Sequence, residues 1–169
     1  MNRLGTLAAI ALALLGIFLH AADAVGQQKT LKEQLVGTWA YVSVDTVRSD
    51  GTRLPLFGPS PSGLASFDSN GRYILLTARN DVPKFASNNR NGGTLEEDRA
   101  VVQGSIAHFG TYTVNEADKT ITFHIQTSTF PNWNGIEQKR PFVVTATELK
   151  WTTAASSGGT AEVVLRRTN

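Results

Sequence analysis

The sequence predicts an all-β fold: an eight-stranded up-and-down antiparallel barrel with one short helix between strands. Three observations carry that expectation. Runs rich in β-branched and aromatic residues recur at short intervals, separated by turn chemistry such as Ser69-Asn70-Gly71 and Ser156-Ser157-Gly158-Gly159. Past the N-terminal apolar run, one stretch alone carries a strong helix-start signature. Finally, the strands follow one another mostly as sequential hairpins, and closing such a meander into a barrel removes its exposed edges.

The N-terminus precedes the domain. Met1–Arg3 carries one positive charge, Leu4–Leu19 is apolar apart from Gly5, Thr6 and Gly16, and Ala22-Asp23-Ala24 forms an A-x-A cleavage pattern. Residues 1–24 are therefore expected to be a signal peptide, 25–34 a polar lead-in with a helical turn at Leu31–Leu35, and 35–169 the barrel. The expected localisation is export, to the periplasm or beyond, with no stable membrane anchor after cleavage.

Val36–Val47 contains no proline and reads as the first strand. Strict alternation puts Trp39, Tyr41, Ser43 and Asp45 on one face and Thr38, Ala40, Val42 and Val44 on the other. Asp50-Gly51 turns the chain. Leu54–Ser62 holds Pro55, Pro59 and Pro61, so it cannot join a sheet interior and is expected to cross one end of the barrel. Gly63–Asp68 and Arg72–Arg79 form a hairpin, with Tyr73, Leu75, Thr77 and Arg79 sharing a face. Asn80–Gly93 is a polar loop. Thr94-Leu95-Glu96-Glu97 is a capping box that starts a helix running from Leu95 to about Gln103, stopped by Gly104; its acidic residues suit a helix N-terminus. Ile106–Val114 and Lys119–Ser128 form a second hairpin around Asn115–Asp118. Phe130–Gly135 is an aromatic-bearing turn, and Ile136–Thr145, Leu149–Thr153 and Ala161–Arg167 are the last strands.

Composition excludes several functions. With no cysteine there is no disulfide, thiolate metal site or cysteine nucleophile. The net charge is +2 and survives loss of Arg3 and Asp23. The basic pairs Lys139-Arg140 and Arg166-Arg167 are too sparse for a nucleic-acid surface. The sequence has no H-x-H, H-E-x-x-H, G-x-S-x-G or phosphate-loop motif, so no metal, cofactor or catalytic residue is assigned.

Gly37-x-Trp39 on the first strand with a basic residue on the last, Arg166 or Arg167, resembles the lipocalins. The chain more specifically resembles the bacterial and fungal lipocalin-like domain family of calycin-type barrels. The matching pieces are Leu35–Trp39, Pro61–Leu64 leading to Gly71-Arg72, Phe85-Ala86-Ser87, Glu96-Glu97, Phe109–Tyr112, His124, Pro131-Asn132-Trp133-x-Gly135, Gln138 and Arg140. Departures are Tyr73 in place of Met, Val82 in place of Arg, and Thr147-Glu148 in place of a glycine-containing turn. The resemblance implies a barrel whose floor is closed by Gly37, Trp39, Arg166 and Arg167, the arginine packing across the indole.

Candidate ligand-binding residues are Tyr41, Arg79, Tyr112, His124, Trp133 and Arg140. Arg140 is suited to binding a carboxylate in the lumen. His124 and Tyr112 depend on register. A two-residue turn in their hairpin sets His124 on the opposite face from His108 and Tyr112. A three-residue loop gathers His108, Tyr112, Thr122, His124 and Gln126 on one face, and separates polar from apolar residues better. The expected function is an exported protein binding a small, partly apolar ligand of unknown identity. The alternatives are a barrel enzyme of isomerase, cyclase or hydratase type using His124 or Tyr112, and a structural or envelope-interaction protein with a filled barrel.

Overall fold

The computed structural model describes residues 28–48, 50–156 and 158–168. The signal-peptide expectation and the start of the lead-in segment lie outside the described residues. Elements follow in the order α1 (Leu31–Leu35), β1 (Gly37–Val47), β2 (Arg53–Pro55), β3 (Ser62–Phe67), β4 (Arg72–Ala78), α2 (Leu95–Gly104), β5 (Ser105–Asn115), β6 (Thr120–Ser128), a 3-10 turn (Pro131–Trp133), β7 (Glu137–Val144), β8 (Glu148–Ala154) and β9 (Thr160–Arg167).

The strands make one antiparallel sheet in the order β2-β1-β3-β4-β5-β6-β7-β8-β9, closed by pairing of β1 with β9. Leaving β2 aside, this is the expected eight-stranded up-and-down barrel. The unanticipated strand is β2. It pairs with the far half of β1, Asp45–Val47, where β3 no longer reaches, and Pro55 sits at its edge. There Asp45 of β1 lies opposite Glu162 of β9, and Arg53 bridges both carboxylates.

Strict alternation on β1 fails at one point. A register shift between Tyr41 and Ser43 changes the phase, so Trp39, Tyr41 and Val44 point inward while Val42 is exposed. A bulge inserts one unpaired residue and so switches the face of everything after it. On β4 the alternation is clean: Tyr73, Leu75 and Thr77 are inside, Ile74 and Leu76 outside.

The floor is the most tightly determined part. Trp39 is fully buried, its indole N–H donates to the Leu35 carbonyl at 2.9 Å, and the Arg167 guanidinium lies 4.0 Å above its ring. Arg167 also donates to the carbonyls of Ala146, Val36 and Gln34. Arg167 thus takes the closing role, and Arg166 is exposed. Gly37 is required beneath it: its φ is +130°, and a Cβ there would come 2.6 Å from Arg167 Nη1. The turn α1 seals this end with buried Leu35; Glu116 caps its first two amides and Thr30 with Glu33 forms a capping box.

Above the floor the lumen is packed with rings. Phe67, Tyr73, Tyr112, Phe123 and Trp151 are all buried and meet mostly edge to face. Burial decreases only toward the opposite end, formed by the 54–61 loop, the start of β5, the 3-10 turn and the β8–β9 connection. The C-terminal end of α2 sits beside that rim, and Val102 and Gln103 line a shallow groove there with Leu56 and Phe57.

Candidate functional site

A cavity occupies the mouth half of the barrel. It offers about 430 Å³ of free space that opens at the rim, of which about 50 Å³ accommodates the centres of water-sized atoms. The lining is largely apolar: Val44, Leu56, Phe57, Leu75, Ile106, Ala161 and Val163, with the aromatics Tyr41, Trp133 and Trp151. The proline-rich loop contributes Leu56 and Phe57, held by the Leu56 amide donating to the Val44 carbonyl at 2.8 Å. Thr77, His108 and Arg140 are the principal polar groups inside the barrel wall.

Arg140 lies on β7 with 3% of its surface exposed. Its guanidinium stands 4.3 Å from the Phe123 ring centre and 5.7 Å from that of Trp151. One terminal nitrogen donates to Gln138 Oε1, and Nε has no partner. Burial pushes its pKa down to about 10, opposed by Tyr41 and Tyr73, so it stays a cation at neutral pH. Burial raises both tyrosines well above the usual phenol range.

His108 on β5 is likewise 3% exposed. Its Nδ1 is 2.7 Å from the Tyr73 hydroxyl, and its ring meets Trp133 and Phe123 edge-on. Burial first, and then the Arg140 charge, push its pKa down to about 3, so the imidazole is neutral under ordinary conditions. No aspartate or glutamate lines the cavity among the described residues. Thr77 Oγ1 and Trp151 Nε1 are also buried without a partner among the described residues, and both side chains line the same space.

Of the sequence candidates, the fold brings Tyr41, Trp133 and Arg140 to the cavity. The other three lie elsewhere. Arg79 follows β4, leaves the lumen and pairs with Asp81 through two hydrogen bonds at the surface. Tyr112 points inward but toward the floor, where its hydroxyl donates to the Asp68 carbonyl at 2.7 Å; burial, with the Asp68 charge, raises its pKa to about 12. His124 is on the outer face, 2.7 Å from Glu137.

The favoured gathering of both histidines on one face is thereby corrected. The hairpin closes through Glu116–Lys119, with Asn115 paired to Thr120 and Asn115 Oδ1 accepting from the amides of Ala117 and Asp118. That loop is longer than either turn considered and sets His124 opposite Thr111, facing out, while Tyr112 opposes Phe123, facing in. A bulge at Gln126 then shifts the register again before His108 meets Ser128. Gly110 was the available signal. A Cβ there would lie 2.0 Å from the His124 carbonyl oxygen, so the backbones touch at that point of the ladder. Leu56, Phe57, Thr77, His108 and Trp151 are among the cavity residues that the sequence candidates omitted.

A closed antiparallel barrel with a plugged floor and a small, mostly apolar cavity at the other end defines the calycin class of architecture. The profile of the lipocalin-like domain matches residues 36–166, and the chain belongs to that family. No curated protein matches the sequence. Among solved structures, a redesigned β-barrel is similar at 17% identity and TM-score 0.44, over 84% of this chain and 98% of its own. An uncharacterized protein from Bacteroides eggerthii is similar at 12% identity and TM-score 0.42, over 79% of this chain and 99% of its own. A de novo designed fluorescence-activating β-barrel follows at 13% identity and TM-score 0.43, over 83% and 99%. Membership of the family rests on the profile match.

Proposed function

We propose that this is an exported protein that binds a small, partly apolar molecule in the mouth half of its barrel. The observation that carries the reading is that Thr77, Arg140 and Trp151, each with a buried polar atom that has no partner among the described residues, all line one largely apolar cavity. A barrel built only to be filled gains nothing from buried groups without partners, each of which costs stability until something meets it. An apolar wall with a few polar groups is the usual form of a small-molecule site. The A-x-A leader supports export.

The enzyme alternative loses its named residues, because Tyr112 is turned to the floor and His124 lies outside. The Tyr73–His108 pair beside Arg140 is what would have to replace them.

Native mass spectrometry of protein purified from its host is expected to show a co-purified small mass. A saturating ligand at a hundredfold over its Kd should stabilise the fold by about 2.7 kcal/mol, a melting shift of several degrees. No retained mass and no shift across a broad compound screen would establish the filled-barrel reading instead.

A further inference from the structure

Resting on that binding reading, we propose that the lumen takes a small monocarboxylic acid, its carboxylate docked on Arg140 and its apolar body directed to the mouth. Cavity lining and hydrogen-bond accounting point the same way. The unpartnered buried groups on the side chains around the cavity are mostly donors. Arg140 Nε and Trp151 Nε1 can only donate, and both are buried without a partner; the Thr77 hydroxyl is free to do either. A neutral amide or alcohol uses up its own donors poorly in such a place. A carboxylate brings acceptors alone, with lone pairs enough for several N–H groups.

Charge narrows the class further. Arg140 is the one formally charged side chain among the described lining residues, and no carboxylate among the described residues lines the cavity beside it. The rings of Phe123 and Trp151 offset part of its burial, and the Gln138 carbonyl takes one N–H, but none of these carries a negative charge. The adjacent His108 is neutral, so a single anionic group matches the site and a dianion would not. Size sets the rest. Interior room of about 50 Å³ holds a carboxylate and a few more atoms, and Leu56, Phe57 and Ile106 at the opening cover a short hydrocarbon chain or one ring.

The test uses matched pairs on the full purified chain at pH 7: benzoate against benzamide and hexanoate against hexanamide, followed by titration calorimetry and tryptophan fluorescence. Each acid is expected to bind at least tenfold more tightly than its amide. Arg140→Gln should erase that difference and leave weak, equal binding of both. Trp151→Phe, which keeps the ring and removes the N–H, should weaken acids severalfold and leave amides unchanged; it also decides the matter if Arg140→Gln does not fold. Equal affinities in the unaltered protein, or an acid preference that persists in Arg140→Gln, would overturn the carboxylate proposal while leaving the binding reading in place. Arg140-dependent binding of chloride or phosphate without binding of either organic acid overturns it as well. So does a co-purified neutral molecule in a protein that binds neither acid, whereas no binding of any kind removes both readings.

Discussion

The barrel holds two arginines against aromatic rings, one at each end of its interior, and they differ in what else they touch. Arg167 lies 4.0 Å over Trp39 and spends its donors on the carbonyls of Ala146, Val36 and Gln34. Arg140 lies 4.3 Å over Phe123, donates to Gln138, and leaves Nε without a partner. A cation–π contact alone therefore does not say what an arginine is for; the accounting of its N–H groups does. Arg167, with a carbonyl partner on each of its three nitrogens, fastens residues 34–36 and Ala146 to its own strand as a floor. Arg140 is a buried charge with capacity to spare, and capacity to spare in a cavity is what recognition needs.

The largest effect should come from breaking the floor. Trp39→Ala removes the ring under Arg167 and the donor to Leu35, in a position with no exposure. The expected loss is about 3–5 kcal/mol in a urea or guanidinium titration. A denaturation curve unchanged by this substitution would show that the floor does not anchor the barrel.

Acid separates the two ends next. His108 in the lumen is held neutral, with its pKa lowered from 6.5 to about 3. In the unfolded chain it takes up a proton near its ordinary value, whereas in the folded chain it does so only near pH 3. Its contribution is thus complete above pH 6.5 and is lost progressively as the pH falls from there. Between pH 6.5 and 4.5 this amounts to about 2 kcal/mol. Stability measured against pH should fall along that limb, and His108→Gln should flatten it. An identical acid limb in both proteins would place the proton uptake elsewhere.

How far these ends were legible in the sequence follows from the same contrast. Only half of the floor is local: Gly37 and Trp39 are two residues apart, whereas the arginine comes from the terminal strand, and its role was implied by the family resemblance, which did not choose Arg167 over Arg166. Apart from β2, the strands and the α2 cap were readable, because hairpin turns and the Thr94–Glu97 box are local signals. The lumen is set by register, which is not local. The bulge after Tyr41 moved Val44 inside, and the longer β5–β6 loop moved His124 outside. Each is a single-residue slip in phase, and each inverts every facing beyond it. Arg140 was reachable because its strand has no such slip, whereas Leu56 and Phe57 come from a loop whose path over the mouth no periodicity encodes.

Neutralising the lumen arginine should have a smaller effect on stability, and of opposite sign to the floor. Arg140→Met replaces a buried, incompletely paired charge with an apolar side chain of similar length. Without ligand the expected change is a gain of about 1 kcal/mol, the low end of what such replacements yield, since the Phe123 and Trp151 contacts already offset part of the burial. Melting of the ligand-free protein checks it. A loss as large as that of Trp39→Ala would mean that Arg140 is a structural arginine like Arg167.

The smallest effect belongs to the second histidine of the same hairpin. His124 and His108 lie on adjacent strands, yet one faces solvent beside Glu137 and the other faces the cavity beside Tyr73. The His124–Glu137 pair is exposed, with 36% and 66% of the two side chains accessible. Such surface pairs contribute little, so His124→Ala should change stability by no more than about 1 kcal/mol. It should leave ligand affinity unaltered, since no cavity atom moves. Comparing its calorimetric titration with that of His108→Gln puts the register itself to the test. If His124→Ala weakens binding and His108→Gln does not, the β5–β6 pairing is shifted by one residue and the lumen must be redrawn around His124.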